Sequence, residues 1–327
     1  MRKSIRALKR VTTPIRLGSN ILLLTPVAAV YTLFHRLRSF GQTGTNQELQ
    51  RINANDADLA VLIRSKKPVI IEGLMEKLDL RVTPDLTSLR QVAAAASDKI
   101  EVRFFDKASP YFLYTGDYGL TFDHSSVMSL QAFLEMMFDG AADRRFSVYR
   151  QFWHNDMDGA AGSVIDDVAE SLAEIVAQSP EKSVSGIWIG SKGVVTPLHC
   201  DAWPGLLFQT HGRKRVAIFS PRDAANLYLK SPFAIGERWS DLPGWSRDAT
   251  ADAYPRFTRV TRYEAVLKSG ETLYIPPFWA HEMQAQEANI SMPFRFKVDA
   301  SGYFHPLCLR ALSELFHRNY VAPRTAS

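Results

Sequence analysis

Ser185 to Pro221 reads SGIWIGSKGVVTPLHCDAWPGLLFQTHGRKRVAIFSP, and Gly270 to Met283 reads GETLYIPPFWAHEM. His199 and Asp201 are two apart, so a strand turns both side chains to one face. An imidazole and a carboxylate on one face, joined by an imidazole from a distant strand, make the facial donor set of non-haem iron(II). His281 supplies the third donor. It follows an apolar run, Thr272 to Ile275, and a Pro-Pro turn that can aim it inward. Alone, a His-x-Asp pair is equally well a hydrogen-bonded surface pair, so the surroundings decide.

Around these two stretches the strands are short and separated by turns. That is the pattern of a β-sandwich or barrel rather than of alternating βαβ units. One connection is long: Leu229 to Arg259 carries Phe233, Trp239, Pro243, Trp245, Tyr254, Pro255 and Phe257. Long connections tend to be lids, and this one is expected beside the metal mouth, with Trp203 and Trp279 adding aromatic wall. A packed surface excursion is the competing reading. Upstream, Asn55 or Asp56 is placed to cap a helix bearing Leu59, Leu62 and Ile63. KKPVIIEGL reads as a buried strand ended by Gly73, followed by a helix near Asp85 to Ala96 and a strand near Lys99 to Phe105. Ser129 to Phe138 reads as a capped helix, Ser147 to Phe152 as a strand, and Ser163 to Gln178 as an amphipathic helix. Helices are thus expected to dominate the first half and strands the second.

The chain has 327 residues, 46% hydrophobic and 22% charged, enough for one sizeable core with a helical annex. Two cysteines, Cys200 and Cys308, exclude a disulfide framework. The net charge of +5 belongs to one end. Residues 1–40 hold eight of the 39 Lys and Arg and no acid, leaving 31 basic against 34 acidic residues in 41–327. A nucleic-acid binder carries its basic patch on the folded domain, so no nucleic-acid partner is expected.

Taken in order, WIGSKGVVTPLHCD, GRKRVAIFSP and GETLYIPPFWAHE resemble the JmjC and cupin-like iron(II)/2-oxoglutarate oxygenases. The similarity is to the branch containing the asparaginyl hydroxylase that inhibits hypoxia-inducible factor. It spans roughly Ser185 to Phe296 and reaches weakly back to about Lys67. It implies a mainly β fold with a helical annex (α+β), built on a double-stranded β-helix or jelly roll. It also implies iron(II) held by His199, Asp201 and His281, which are then the catalytic residues, and 2-oxoglutarate as cosubstrate. The far carboxylate of that keto acid needs a cation and hydrogen-bond donors. Arg213, Lys214 and Arg215 offer three cations, and strand periodicity does not choose between the two faces they occupy. The resemblance assigns Lys214, with Thr196 and Tyr149 as hydroxyl donors, and leaves Arg213 and Arg215 as solvated charge. Two positions depart from the branch: Gly205 and Pro293 stand where it carries side-chain amides, and Asn289 or Arg295 are the candidates to replace them.

Leu17 to Phe34 is apolar and about one membrane width long, but interrupted by Asn20 and Pro26. A signal anchor or a cleaved signal peptide exports the body away from cytosolic iron and 2-oxoglutarate. A basic, apolar arm on the inner membrane surface, or packed on the body, fits better, with the body cytoplasmic. Residues 1–45 are accordingly read as arm and linker, 46–300 as the oxygenase domain, and 301–327 as a C-terminal helix. The stripe Cys308, Leu312, Leu315 and Phe316 is suited to dimer contact. The expected activity is hydroxylation of a protein or peptide side chain, or of a small metabolite. The competing functions are a metal-binding cupin of another reaction type and a non-catalytic, membrane-associated binding module.

Overall fold

Period-two alternation along each strand sorts the apolar side chains into layers. In the strand Gly205–His211, Leu207 points into one cluster while Leu206 and Phe208 point into another. The computed structural model describes residues 30, 33–34, 37–38, 40, 43–65, 67–80, 85–95, 99–106, 124–139, 146–153, 159–181, 185–201, 203–229, 239–243 and 245–297.

Two sheets face each other. The smaller has the order β1 (Asn46–Glu48), β11 (Arg262–Leu267), β10 (Lys214–Phe219), β13 (Ala280–Ala285), β8 (Val195–Cys200). The larger runs β2 (Arg51–Asn53), β3 (Val69–Glu72), β12 (Glu271–Ile275), β9 (Gly205–His211), β14 (Asn289–Arg295), β7 (Gly186–Gly190), β6 (Phe146–Trp153), β4 (Lys99–Asp106), β5 (His124–Ser129). Between them lies an inner core of Ile70, Trp188, Leu207, Val216, Ile218, Leu273, Ile275 and Met283. This is a mostly antiparallel jelly-roll sandwich, the expected class.

Five helices, α1 (Leu59–Arg64), α2 (Leu74–Lys77), α3 (Leu86–Ala95), α4 (Leu130–Phe138) and α5 (Gly159–Val176), belong with the outer face of the larger sheet. There Leu59, Leu89, Phe133 and Leu172 share a cluster with Phe208, Tyr274 and Phe294. The outer face of the smaller sheet is covered by the connection after β10, through Leu227, Leu242, Trp245 and Val260.

Two expectations are corrected. The cap of α1 is Asp58, whose side chain accepts from Val61 N, and neither Asn55 nor Asp56 serves. The strand β1 begins at Asn46, and Gly44 just ahead of it is locked in place. Its N–H donates to Thr258 O at 2.8 Å, and a Cβ there would stand 2.1 Å from Val260 O. Five strands of the larger sheet come from the first half of the chain, so among its described residues helices do not dominate but share about evenly with strands. The helix read over 301–327 and most of the arm lie outside the described residues. Val30, Leu33, Phe34, Leu37 and Phe40 are exposed, and among the described residues no helix is long and apolar enough to cross a membrane.

Candidate metal centre

A local irregularity in β8 makes the centre possible. His199 pairs with His281, but Thr196 pairs with Met283, so β8 spends three residues where β13 spends two. This bulge breaks the alternation. Leu198 and Cys200 pack on the outer cluster, while both Thr196 and His199 are carried to the inner face.

Asp201 lies just past β8 and is held from the other side. The Pro276-Pro277 turn puts Phe278 at φ 66°, a left-handed conformation uncommon for a bulky residue and found where surrounding structure enforces it. From there Phe278 N–H donates to Asp201 O at 2.8 Å. The same turn feeds β13, whose inward residues are His281 and Met283. His199, Asp201 and His281 come together, each offering a donor atom within 4.8 Å of the others.

The tautomers follow from the backbone. His199 Nδ1 lies 2.9 Å from Pro197 O, and His281 Nδ1 lies 3.0 Å from Trp279 O. A carbonyl only accepts, so both Nδ1 atoms carry the proton and both Nε2 lone pairs are left for a metal. Two neutral imidazoles and one carboxylate, all largely buried, fit a divalent first-row metal and leave coordination positions open.

The residues assigned to the cosubstrate are placed as follows. Lys214 shares the inner face of β10 with Val216 and Ile218, and it is buried. Among the described residues no carboxylate lies within ion-pair distance of it. Burial alone pulls its pKa down to about 7. Arg213 faces solvent and pairs with Glu287 at 3.0 Å. Thr196 is inward and half-buried. Tyr149 is paired through its backbone with Gly190 and Arg103, and its side chain lies outside the described residues.

Of the two candidate amide replacements, Asn289 is tied to Gly190 O and Glu287 O at the far end of β14. Arg295 is at the centre: its Nη2 donates to Asp201 Oδ2 at 2.8 Å. It lines a cavity of about 30 Å³ with Asp201, His281, Trp188, Trp203, Gly205 and Pro293. Trp279 belongs to the inner core against Tyr263 rather than to the cavity wall.

Among its described residues, the long connection reaches the centre at Trp239. Trp239 bridges to His199 along the sheet edge and stacks on its ring, centroids 4.6 Å apart. Trp245 does not line the mouth, because it packs in the outer cluster. Next to it, Ser246 donates from both its backbone N–H and its hydroxyl to Glu282, on the outward face of β13. Sequence reasoning missed Glu282. Its only signal was a carboxylate between His281 and Met283, flanking the candidate ligand.

Parts of the chain are similar in sequence to known proteins. The chain is 37% identical over 109 residues to tRNA wybutosine-synthesizing protein 5 of Homo sapiens, covering 33% of this chain and 32% of that one. It is 32% identical over 108 residues to Jumonji C domain-containing protein 5 of Drosophila melanogaster, covering 33% and 26%. Against JmjC domain-containing protein D of Dictyostelium discoideum it is 35% identical over 107 residues, covering 32% and 23%. The chain thus spans about a quarter to a third of the length of these relatives. The cupin-like domain family matches residues 56–300, which take in all three metal-facing side chains. With that match over most of its length, the chain belongs to the JmjC-type cupin-like domain family.

Proposed function

We propose that this protein is an iron(II)- and 2-oxoglutarate-dependent oxygenase that hydroxylates a protein or peptide side chain, or a small metabolite. The observation that carries the reading is the inward trio His199, Asp201 and His281, with both imidazole Nδ1 protons committed to backbone carbonyls. Iron(II) bound there would, with dioxygen as the oxidant and 2-oxoglutarate as the co-oxidised electron donor, supply oxidising power sufficient for an unactivated C–H bond. The chain does the rest. His199 and His281 hold fixed lone pairs, Asp201 brings the anionic ligand, and Trp188, Leu207, Ile275 and Met283 exclude water. Lys214 supports the cosubstrate assignment, since a buried ammonium with no carboxylate near it among the described residues is relieved by a ligand carboxylate.

One relative is named for tRNA, but the 31 basic and 34 acidic residues in 41–327 give no excess of positive charge for a polyanion. The eight cations of residues 1–40, beside exposed Leu33, Phe34 and Leu37, support contact with an anionic membrane surface. The test is succinate formation by purified protein. We expect 2-oxoglutarate to be consumed only with iron(II), and more than tenfold slower in His281→Ala. Consumption indifferent to iron(II), or to loss of His281, would end the proposal.

A further inference from the structure

Arg295 is the cation that the metal reading does not use. Alternation along β14 sends Ile290, Met292 and Phe294 to the helix-side cluster, so Pro293 and Arg295 face the cavity. Arg295 sits opposite Gly205 across the ladder, and a Cβ on Gly205 would stand 3.6 Å from Arg295 Cγ. The two residues are therefore close neighbours, and the arginine reaches the centre past the bare glycine. Its guanidinium donates to Asp201 Oδ2 at 2.8 Å, with the two side chains only 14% and 12% exposed.

Charge counting gives the consequence. Arginine and aspartate alone are neutral. A divalent metal on Asp201 adds two positive charges beside the guanidinium, in a wall that Trp188, Leu206, Leu207, Ile275, Met283 and Pro293 make largely apolar, where unpaired charge is costly. The compensating ligand must be anionic, and a guanidinium fork matches a carboxylate in geometry as well as charge. The cavity as it stands, about 30 Å³, holds little more than a water. A swing of Arg295 away from Asp201 both opens that space and frees its donors.

We propose that Arg295 is a carboxylate-binding residue of this centre, exchanging Asp201 for a ligand carboxylate when the metal site is loaded. The inference rests on the metal reading of His199, Asp201 and His281. The carboxylate comes from the cosubstrate or from the substrate.

The test titrates Mn(II) into wild-type and Arg295→Gln protein, then 2-oxoglutarate and acetate into each Mn(II)-loaded form. Removing the competing cation should tighten Mn(II) several-fold, while 2-oxoglutarate or acetate binds at least tenfold more weakly. Arg295→Lys should fall between. These opposite signs separate the role from simple damage, which weakens both. Acetate that competes with 2-oxoglutarate and loses affinity in the variant identifies the cosubstrate carboxylate. Acetate that binds on top of saturating 2-oxoglutarate and loses affinity identifies a substrate carboxylate. Wild-type protein that takes up no Mn(II) overturns the metal reading and this inference with it. Normal Mn(II) uptake with unchanged affinity for both probes, or loss of both metal and carboxylate binding, overturns this inference alone.

Discussion

The smaller sheet buries a charge on each of its faces and treats the two differently. On the outward face Glu282 is fully buried, accepts from Ser246 N at 2.9 Å and from the Ser246 hydroxyl, and lies 3.6 Å from Arg262. Arg262 in turn donates to Ser246 Oγ at 2.6 Å and pairs with Glu264 at 3.1 Å. Burial raises the Glu282 pKa to about 7, with Ser246 and Arg262 pulling against it. On the inward face, Lys214 has burial as the whole cause of its shift. The outward group closes on itself and joins the long connection to the strand carrying His281. The inward cation has no carboxylate within ion-pair distance among the described residues, which is the observation behind its proposed role toward a ligand. Buried charge satisfied within the chain holds structure, whereas buried charge left open marks a binding site.

The largest expected effect breaks that contrast at Lys214. A pKa of about 7 in the folded chain, against 10.5 for an exposed lysine, means the unfolded state holds the proton between those values while the folded state does not. Stability therefore rises with pH from about 7 to 10.5, and below 7 the penalty is fully present, on the order of 5 kcal/mol. Lys214→Met should raise Tm by several degrees at pH 7, gain little near pH 10, and weaken 2-oxoglutarate binding more than a hundredfold. Melting at both pH values with calorimetric titration of the cosubstrate checks all three. A variant that is destabilised at pH 7 would show that Lys214 already has an internal counter-charge.

The outward group should respond in the opposite sense. Glu282→Ala leaves Arg262 buried with less compensation and strands the Ser246 donors, a class of change costing about 3–5 kcal/mol. Denaturant unfolding should show that loss, while a metal-loaded sample keeps its 2-oxoglutarate affinity within a few-fold. A large drop in ligand affinity with stability intact would move Glu282 from the frame to the site.

How much of this was legible beforehand differs by face. His199, Asp201 and His281 were readable because the donor types and their motif order are fixed by the chemistry they suit. Lys214 was readable only through resemblance, since period two divided the RKR triplet without saying which side was inner. Thr196 and His199 are three apart, an odd spacing that should oppose them, and only the bulge against β13 reconciles them. Arg295 was one of two candidates. Its selection depended on strand register, which sets it opposite Gly205 and within reach of Asp201, and register is not a local signal. The Glu282 group draws on residues 16 to 36 positions apart, so no window of sequence displays it. The strands NQE and RIN carry almost no strand propensity and form because the sheet edges recruit them.

A third effect, about tenfold per pH unit, follows from the same lysine. A carboxylate ligand binds the charged form, and above pH 7 the free protein must first take up a proton. Affinity for 2-oxoglutarate should be flat below pH 7 and fall between pH 7 and 9. Affinity constant over that range would mean the ammonium is charged without ligand, and the contrast between the two faces would weaken.

The smallest effect uses one connection that touches both faces. Trp239 stacks on His199 on the inward side, with ring planes 29° apart. Six residues later Trp245 enters the outer cluster. Both are nearly buried, at 7% and 5% exposure, so replacing either with phenylalanine removes similar ring volume and should cost about 1 kcal/mol of stability. Their effects on metal should differ. Trp239→Phe loosens the imidazole that carries a ligand nitrogen, and Co(II) should bind about threefold more weakly. A share of the tryptophan fluorescence quenched by Co(II) should also disappear, because the indole in contact with a metal ligand is gone. Trp245→Phe should keep both the affinity and the quenching, since the smaller sheet stands between that ring and the centre. Equal shifts in the two variants would show that the connection acts on the metal site through the fold as a whole, and that its two tryptophans do not divide the work as the two faces do.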